Sequence, residues 1–248
     1  MKRLRYLWRA FHYRRRLASA EIAFLGRSLR AGDTVVDVGC HKGGFLYWLQ
    51  RFVGPSGSVV GFEPQPQLAQ YLREIVAAQG WRNVTVEATG VSDRSGTMSL
   101  HVPAPSGEVS PGASLAAAAA ADAQHSLTVP VIALDTYFAR RGQPRIACIK
   151  CDCEGHELEV FRGAEDILRE DRPVLLFECE ARHLPGSSPA ALFDYLGSLG
   201  YRGFLFYSTG LLPVTHFRPE LHQPVRPGHY WNAKDYYNNF AFLPAETA

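Results

Sequence analysis

The sequence predicts an α/β protein with a mainly parallel sheet and helices on both faces. Short β-branched, apolar runs alternate along the chain with stretches of helical periodicity, which is the pattern of repeated βαβ units. Of the 248 residues, 46% are hydrophobic and 20% are charged. This composition suits a packed core and is too apolar for a disordered chain. The length suits one α/β domain with additions.

Nine strands are predicted, each a short run of β-branched or aromatic residues bounded by turn residues. The first, with the sequence TVVDV, contains Asp37 and is followed by Gly39. The second follows the turn at 54–57, which contains two glycines and a proline. The predicted strands cover residues 34–38, 59–62, 83–88, 97–102, 127–132, 146–151, 173–179, 201–207 and 239–243.

Helices are predicted where apolar residues recur every three or four positions. They cover residues 44–52, 65–79, 156–169 and 189–199. In the second of these, Leu68, Leu72, Ile75 and Val76 fall on one face. Residues 103–125 are rich in Ala, Pro, Ser and Gly, and we predict a flexible loop there that is a candidate lid.

Composition also restricts the location of the protein. No stretch approaches the ~20 continuous apolar residues that a membrane-spanning helix needs. The basic N-terminus is not followed by the apolar segment of a secretory signal. Five cysteines, an odd number, argue against a disulfide framework and for a reducing compartment. We therefore expect a cytoplasmic protein.

Charge is distributed unevenly along the chain. Residues 1–30 hold nine Lys and Arg and one acid, Glu21, for a net charge of +8, whereas the rest of the chain carries −6. Because most of the chain is acidic and has no zinc-finger or RNP-type motif, a nucleic-acid partner is not expected.

Within residues 1–16 the spacing of apolar residues predicts a basic amphipathic helix. The residues that form its apolar stripe are Leu4, Leu7, Trp8 and Phe11. Such a helix can bind an anionic membrane surface or an acidic partner, which would make the protein peripheral to the inner membrane surface. Alternatively, the stripe covers the main domain or a second subunit in a homodimer. We favour burial of the stripe against the main domain or a second subunit, because most apolar stripes are buried.

A glycine-containing loop, DVGCHKGG, follows the first predicted strand and leads into a helix. Gly39 and Gly43 allow a tight turn and a close approach of a ligand to the backbone. The spacing D-x-G-x-x-x-G, with Lys42 inside it, differs from the dinucleotide pattern G-x-G-x-x-G. Asp37 at the strand end suits a cationic group, such as the amino group of an amino-acid cofactor.

The second strand ends in a carboxylate, Glu63, about 20 residues after the glycine loop. A carboxylate in this position can accept hydrogen bonds from both hydroxyls of a ribose. Pro64 stiffens the turn that presents it. Together, the loop and the carboxylate predict a nucleoside-containing cofactor at the carboxyl edge of the sheet. The alternative is that the glycines only mark a turn and that Glu63 lies on the surface.

A second polar run, DCEGHELE, leaves the strand predicted at 146–151. Asp152, Glu154 and His156 crowd its end, and a histidine beside carboxylates can act as a general base. Carboxylates and histidine could also hold a divalent metal. The alternative is capping of a helix N-terminus by acidic residues. We prefer that alternative for the remaining two acids, Glu157 and Glu159.

Six segments of the sequence resemble the FkbM-type methyltransferases, which are class I enzymes that use S-adenosylmethionine (SAM). The segments are VVDVGCHKGGF (35–45), VVGFEP (59–64), NVTVEATGVSDRSG (83–96), VPVIALDTYF (129–138), IKCDCEGHELEVFRGAEDIL (149–168) and VLLFEC (174–179). The resemblance implies a Rossmann-like fold with a seven-stranded, mainly parallel sheet and an antiparallel last strand. It divides the chain into a basic helical extension, 1–30, and a methyltransferase domain, 31–248.

The resemblance also implies roles for individual residues. Glu63 matches the family's ribose carboxylate, Ser92 and Asp93 match the segment near the adenine, and Asp152 matches the acid beside the methionine moiety. Residues 154–156 match the family's E-G-H sequence. The predicted cofactor-binding residues are Asp37, Gly39, Lys42, Gly43, Glu63, Pro64, Ser92 and Asp93.

The activity that the resemblance implies is O-methylation of a hydroxyl on a glycan or secondary metabolite. We predict His156 as the base, with Asp152 or Glu154 orienting it, and Glu180 and His183 as acceptor contacts. If a divalent metal assists, Asp152 and Glu154 are its candidate ligands. An NAD-dependent oxidoreductase on a similar sheet is an alternative, although the third glycine is missing at the proper spacing. A non-catalytic SAM-fold scaffold is another.

The sequence departs from the family pattern at three cysteines. Cys40, followed by His41, replaces the usual Ala-Asn of the glycine loop, and Cys151 and Cys153 stand where aliphatic residues are usual. A C-x-C pair could bind a metal or undergo redox chemistry. We favour small thiols packed in the core instead.

Overall fold

The computed structural model describes residues 2–207, 210–228 and 230–245. Met1 and residues 246–248, which the predicted domain bounds include, lie outside them. The strands are β1 (Thr34–Val38), β2 (Ser58–Phe62), β3 (Val84–Glu87), β4 (Gly90–Val91), β5 (Gly96–Val102), β6 (His125–Ile132), β7 (Ile146–Cys151), β8 (Val174–Glu178), β9 (Tyr201–Tyr207), β10 (Gly210–Pro213) and β11 (Asn239–Pro244). The α-helices are α1 (Lys2–His12), α2 (Ser19–Ser28), α3 (Leu46–Val53), α4 (Pro66–Gln79), α5 (Leu134–Ala139), α6 (Glu157–Arg162), α7 (Glu165–Glu170), α8 (Pro189–Ser198) and α9 (Pro219–His222).

The main sheet has the strand order β10-β9-β11-β8-β7-β1-β2-β3. The run β8-β7-β1-β2-β3 is parallel, and β11 is antiparallel to both of its neighbours. The predicted α/β class, parallel core and antiparallel last strand are therefore confirmed. The sheet has eight strands rather than seven, because β9 turns back into the short edge strand β10.

Two predicted strands belong to a separate sheet. β5 and β6 form an antiparallel pair, and β4 pairs with β6, which gives a three-stranded sheet in the order β4-β6-β5. The loop predicted at 103–125 joins β5 to β6. It is held to the rest of the molecule, since Gln65 and Ser110 exchange two hydrogen bonds of 2.9 Å and Ser114 Oγ donates to Glu154 O at 2.8 Å. These contacts do not favour a freely moving lid.

The helix predicted at 156–169 is two helices, α6 and α7, which meet at Gly163. A Cβ on Gly163 would collide with the backbone oxygen of Ser92, so only glycine allows this close approach. The carbonyl of Gly163 accepts a hydrogen bond of 2.9 Å from the backbone N–H of Asp135. Periodicity alone does not reveal such a break, because the apolar positions continue on both sides of it.

Apolar side chains fill both faces of the main sheet. On one face, α5 to α8 pack against the strands around Phe161 and Phe177, which are almost fully buried. On the other face, α2, α3 and α4 pack around Leu49 and Leu72, which have no exposed surface. Helices therefore cover both faces, as the alternation of strands and helices predicts.

The basic N-terminal segment is helical, as predicted, but the face that it buries is not the predicted stripe. α1 packs against the main domain through Tyr6 and Ala10, which are buried. Of the predicted stripe, Leu4 is 73% and Trp8 67% exposed, and Phe11 is 42% exposed. Most of the stripe therefore does not cover the main domain, and its burial against a second subunit stays a prediction. Among the residues described, no helix is both long enough and apolar enough to cross a bilayer.

Candidate functional site

A cavity of about 390 Å³ opens at the carboxyl ends of β1, β2, β7 and β8. This is the edge at which open parallel sheets bind their ligands. Its lining includes the predicted residues Gly39, Glu63, Pro64, Asp152 and Glu154. Its volume lies in the range of small-molecule sites, about 300–1,000 Å³. The cavity therefore coincides with the site that the sequence predicts.

The glycine loop crosses from β1 to α3 with a left-handed backbone. Gly39 has φ +77° and Gly43 has φ +76°, a region that side chains disfavour. A Cβ on Gly39 would collide with the backbone oxygen of Asp152. Gly43 and Lys42 do not belong to the cavity lining that the described residues form; the carbonyl of Lys42 instead accepts a hydrogen bond from Arg9 Nη1 at 3.2 Å. Gly39 thus keeps the two strand ends together at the cavity floor.

Replacing Gly39 tests this close approach. Gly39→Ala is expected to lower the free energy of unfolding by at least about 3 kcal/mol, because the strain of positive φ adds to a backbone collision. Gly54→Ala is the matched control, since Gly54 has φ +65° but nothing lies within 4 Å of an added Cβ. It should cost about 1–2 kcal/mol. Urea unfolding of both variants measures the difference, and equal losses would contradict the collision.

Glu63 is placed as predicted, at the end of β2 with its carboxylate against the cavity. Only 2% of the residue is exposed. Its Oε2 accepts the backbone N–H of His41 at 2.7 Å and its Oε1 that of Gln65 at 2.9 Å. Burial raises the pKa of this carboxyl to about 7. Each carboxylate oxygen accepts two hydrogen bonds, so capacity remains for the two hydroxyls of a ribose.

Asp37 is fully buried below the cavity rather than part of its lining. Burial raises the pKa of its carboxyl, and the nearby charge of Lys150 opposes that rise. Among the described residues, no side chain lies within good hydrogen-bond geometry of either carboxylate oxygen, and Lys150 Nζ lies 3.6 Å from Oδ1. The cation beside Asp37 is therefore a lysine of the chain itself.

Lys150 is a site residue that the sequence reasoning missed. It lines the cavity although only 5% of it is exposed, and its Nζ lies 3.3 Å from Asp152 Oδ2 and 3.5 Å from Gly39 O. A lysine inside a central, otherwise apolar strand is the pattern that could have revealed it, since buried lysines need charged partners. Lys150 neutralises part of the negative charge that converges on the cavity floor.

Three carboxylates form the far wall of the cavity. Asp152, Glu154 and Glu178 offer oxygens that all lie within 4.8 Å of one another. Glu154 has φ +54°, an unusual backbone conformation for a residue with a side chain. Its Oε2 lies 3.0 Å from His183 Nδ1. This cluster could hold a divalent cation or accept hydrogen bonds from hydroxyl groups.

Glu178 was not predicted as a site residue. It ends β8 beside the antiparallel strand β11 and lines the cavity. Burial, followed by the nearby charge of Asp152, raises the pKa of the Glu178 carboxyl well above its usual value. Its position at a strand end was the available indication. A hydrogen bond with Glu180 raises the pKa of Glu178 further.

His156 does not meet the geometric requirement for the predicted base. It is buried, and the lining formed by the described residues does not include it. Its Nε2 lies 3.0 Å from Ser92 Oγ, which in turn donates to Asp93 Oδ1 at 3.1 Å. Burial lowers the pKa of His156. Ser92 and Asp93 likewise lie outside the lining, where residues 89–91 stand instead. These positions favour a structural role for all three residues.

The two predicted acceptor contacts lie behind the cavity wall rather than in it. Glu180 is buried and accepts hydrogen bonds from Arg182 Nε and from the Tyr236 hydroxyl, both at 2.6 Å. Burial alone would raise the pKa of Glu180, but these hydrogen bonds lower it to about 2. His183 contacts Glu154. Burial alone would lower the pKa of His183, but the hydrogen bond that Nδ1 donates to the Glu154 carboxylate, and the charge of that carboxylate, raise it.

Glu157, predicted as a solvated capping residue, is buried instead. Its Oε1 accepts the backbone N–H groups of Cys153 at 2.9 Å and Gly155 at 3.2 Å, so it fixes the turn that carries Glu154. Burial raises its pKa from 4.5 to about 7. The sequence could indicate a cap at this position but not that the carboxyl is buried.

The raised pKa of Glu157 makes stability depend on pH. The folded state holds the proton more tightly than the unfolded chain, so this contribution is present below pH 4.5 and is lost as pH rises through about 7. Between pH 5 and pH 8, the wild type should lose about 2 kcal/mol more than Glu157→Gln. Urea unfolding at both pH values measures this. A wild-type-to-variant difference that does not change with pH would contradict it.

The five cysteines are free thiols. Cys40 is buried, and its Sγ donates to the Asp37 carbonyl at 3.1 Å. Cys151 and Cys153 approach each other to 3.7 Å between sulfur atoms, with Cys151 buried. Burial raises the pKa of the Cys40 and Cys151 thiols, which disfavours the thiolate that metal binding or redox chemistry needs. The packing supports core thiols.

The site fits a nucleoside that carries an amino-acid tail. Glu63 presents a buried carboxylate with free acceptor capacity, and Gly39 of the glycine loop lines the same cavity. His41 lines the cavity with a buried Nε2 that has no hydrogen-bond partner. Asp152, unlike Asp37, belongs to the lining, and Gly39 packs on its backbone. These features suit a ribose held by Glu63 and an ammonium group held by Asp152.

Comparisons with known proteins match most of the chain to a methyltransferase family. The model of the methyltransferase FkbM domain matches residues 37–202. A protein-L-isoaspartate O-methyltransferase from Ignicoccus hospitalis is 43% identical over 58 residues, which are 23% of this chain and 28% of that protein. The chain thus spans little more than a quarter of that relative.

Two solved structures illustrate the fold. Methyltransferase FkbM from Methylobacillus flagellatus has a TM-score of 0.55 and 16% identity; the match covers 98% of this chain and 55% of that one. A Streptococcus mutans protein in complex with S-adenosylhomocysteine (SAH) has a TM-score of 0.50 and 10% identity, with 92% of this chain and 98% of that one covered. At these identities the likeness concerns the fold alone, which is that of the class I methyltransferases.

Proposed function

Because the chain belongs to the FkbM methyltransferase family, we propose that it is a SAM-dependent O-methyltransferase acting on a hydroxyl of a glycan or secondary metabolite. The observation that supports this most strongly is the buried carboxylate of Glu63 beside a glycine loop, in a cavity that three further carboxylates also line. Glu63 suits the ribose of a nucleoside, and the three carboxylates suit hydroxyl groups.

SAM, when bound, supplies a methyl group already activated by the neighbouring sulfonium. Glu63 would hold the ribose, Gly39 would let the ligand approach the backbone, and Asp152 would face the amino-acid end. The chain must then orient an acceptor hydroxyl, exclude water and accept a proton. Because an alcohol has a high pKa, proton acceptance by the protein is part of the catalysis.

We propose Glu154 as the residue that accepts this proton. It lines the cavity, and the turn that carries it is fixed by the buried Glu157. His183, 3.0 Å from Oε2, holds the Glu154 carboxylate from behind the wall and is a positioning residue. Glu154 thus takes over the role that the sequence analysis gave to His156.

The acceptor class follows from the charges in the cavity. Asp152 and Glu154 face it as acids, and Lys150 is already engaged by Asp37 and Asp152. An anionic acceptor group would meet these carboxylates without a free cation among the lining residues described. Neutral hydroxyl-rich molecules, whose hydroxyls donate to carboxylates, suit this wall best.

A divalent metal remains a prediction for Asp152 and Glu154, beside which the structure places an oxygen of Glu178. The carboxylate oxygens suit Mg²⁺ or Mn²⁺. However, Lys150 contacts Asp152 and His183 contacts Glu154, which favours hydrogen bonding instead. Assays with EDTA and with added Mg²⁺ separate the two. Loss of turnover in EDTA, restored by Mg²⁺, would establish the metal, whereas unchanged turnover would assign the carboxylates to hydroxyl binding.

Mass spectrometry of glycans and metabolites from the host, with and without this protein, tests the proposed reaction. We expect acceptors that lose one methylene unit when the protein is absent and regain it when purified protein and SAM are supplied. An NAD-dependent oxidoreductase would instead change acceptors by two hydrogens. A scaffold would bind SAH without changing any acceptor.

A further inference from the structure

The exposed side of the N-terminal extension carries an apolar patch. We name it the N-terminal patch and define it by Leu4, Trp8, Phe11 and Leu17. Leu4, Trp8 and Leu17 are between 61% and 73% exposed, and Phe11 is 42% exposed. Trp8 stacks on His12 with ring centroids 5.1 Å apart. Phe11 contacts the Tyr47 and Trp48 rings with its inner side, at centroid distances of 5.8 and 5.3 Å. Several large apolar side chains exposed together mark an interaction surface.

The extension is fixed to the domain by its opposite side. Tyr6 and Ala10 are buried, Lys2 pairs with Glu74 at 2.7 Å, and Arg9 donates to the Lys42 carbonyl at 3.2 Å. The outward direction of the patch is therefore set by packing. It is not the result of a helix that lies loosely on the surface.

Basic side chains border the patch. Arg5, Arg15 and Arg16 are exposed, whereas the Arg14 guanidinium lies over the Trp48 ring at 4.6 Å. The one acid of residues 1–30, Glu21, is buried, and burial raises its pKa, so it adds little negative charge here. The surface thus combines exposed Trp, Phe and Leu with arginine and lacks an exposed acid among the first 30 residues described.

We infer that the N-terminal patch and its arginines dock onto an anionic lipid surface, with the apolar side chains at the boundary between headgroups and acyl chains. Trp, Phe and Leu beside basic residues are the composition of interfacial helices. Anionic headgroups attract the arginines. A second copy of the chain fits less well, because a twofold contact would bring the two basic segments face to face.

The docking surface lies beside the candidate active site. Leu17 belongs both to the patch and to the cavity lining, together with Tyr13 and Ala18 of the same segment. Residues Tyr13–Leu17 form a π-helical turn, a conformation often found at functional sites. A membrane on the patch therefore lies next to the mouth of the cavity. This inference concerns binding and stands independently of the proposed reaction.

Vesicle binding tests the inference. The full chain is mixed with vesicles of phosphatidylcholine alone and of phosphatidylcholine with phosphatidylglycerol, and the bound fraction is measured by co-sedimentation. We expect binding only to the anionic vesicles and weaker binding at high salt. No binding to the anionic vesicles, or equal binding to both kinds, would overturn the inference.

Three pairs of substitutions and one control locate the surface. Leu4→Ser with Trp8→Ser should weaken binding at least about tenfold by removing apolar contact. Arg15→Gln with Arg16→Gln should weaken vesicle binding about tenfold. Arg15→Lys with Arg16→Lys should not weaken it, because lysine keeps the positive charge. Leu221→Ser is the matched control, because Leu221 is 67% exposed on α9. Equal effects of Leu221→Ser and the patch variants would contradict the location.

Sedimentation velocity decides between lipid and a second copy. The wild type is expected to sediment as the same species as the Leu4→Ser, Trp8→Ser variant. A wild-type dimer that becomes a monomer in this variant would overturn lipid docking in favour of self-association. Matching circular dichroism melts for all variants show that exposed positions, rather than folding, account for the changes.

Discussion

Glu154→Gln is expected to reduce methyl transfer about 10²–10⁴-fold while leaving SAH binding nearly unchanged. The amide keeps the size of the side chain but cannot accept the acceptor's proton as a carboxylate does. The substitution also removes the ion pair between Glu154 and His183, whose Nδ1 lies 3.0 Å from Oε2. Single-turnover rates with the acceptor identified by mass spectrometry, together with calorimetric titration with SAH, measure the two effects separately.

Glu159→Gln is the control for this prediction. Glu159 belongs to the same acidic run and lies 3.8 Å from His156 Nδ1, outside the described cavity lining. It should leave the rate within about twofold of the wild type. His156→Ala addresses the earlier candidate and should retain most of the turnover if it folds. Full activity of Glu154→Gln, or equal losses in Glu154→Gln and Glu159→Gln, would remove Glu154 from the proposed role.

Glu63→Gln is expected to weaken SAH binding about 100-fold. The buried carboxylate would accept two charge-assisted hydrogen bonds from a ribose, and the amide offers one acceptor and one donor in their place. The variant also affects the glycine loop, since the carboxylate accepts the backbone N–H groups of His41 and Gln65. Calorimetry at pH 8 measures the binding, and thermal unfolding measures the cost to the fold.

Two further variants make the Glu63 result specific. Glu63→Asp keeps the negative charge, but its shorter side chain places the carboxylate farther from the ribose site. This variant should bind SAH with an affinity between those of the wild type and Glu63→Gln. Glu87→Gln changes another strand-end carboxylate, which accepts from the Tyr137 hydroxyl at 2.8 Å and lies outside the lining. It should not affect binding. A loss of affinity in Glu87→Gln equal to that in Glu63→Gln would indicate a general loss of structure.

The predicted site residues that line the cavity lie at the ends of strands. Gly39, Glu63 and Asp152 each follow a recognisable apolar run, and parallel strands bring their carboxyl ends to one edge. The sheet therefore converts three distant sequence positions into neighbours. The predicted strand bounds agree with the structure to within a few residues, because β-branched runs and turn residues mark both of their ends.

The structure departs from the sequence-based expectations where the direction of a side chain matters, because sequence position does not fix that direction. His156 is two residues from Glu154, but Glu154 and Gly155 both have positive φ, so the chain turns and His156 points to Ser92 instead. Lys150 and Glu178 were missed because a strand pattern does not state which strand neighbours will face each other. In the N-terminal helix, the periodic stripe and the buried face differ: Tyr6 is fully buried against the domain, whereas Leu4 is 73% exposed.

Titration calorimetry of the wild-type chain with SAH, compared with NAD under the same conditions, tests the central claim most directly. The account predicts one SAH bound per chain and no measurable heat with NAD. A chain that folds but takes up no SAH, or one that prefers NAD, would show that the cavity between Glu63 and Asp152 serves a different ligand.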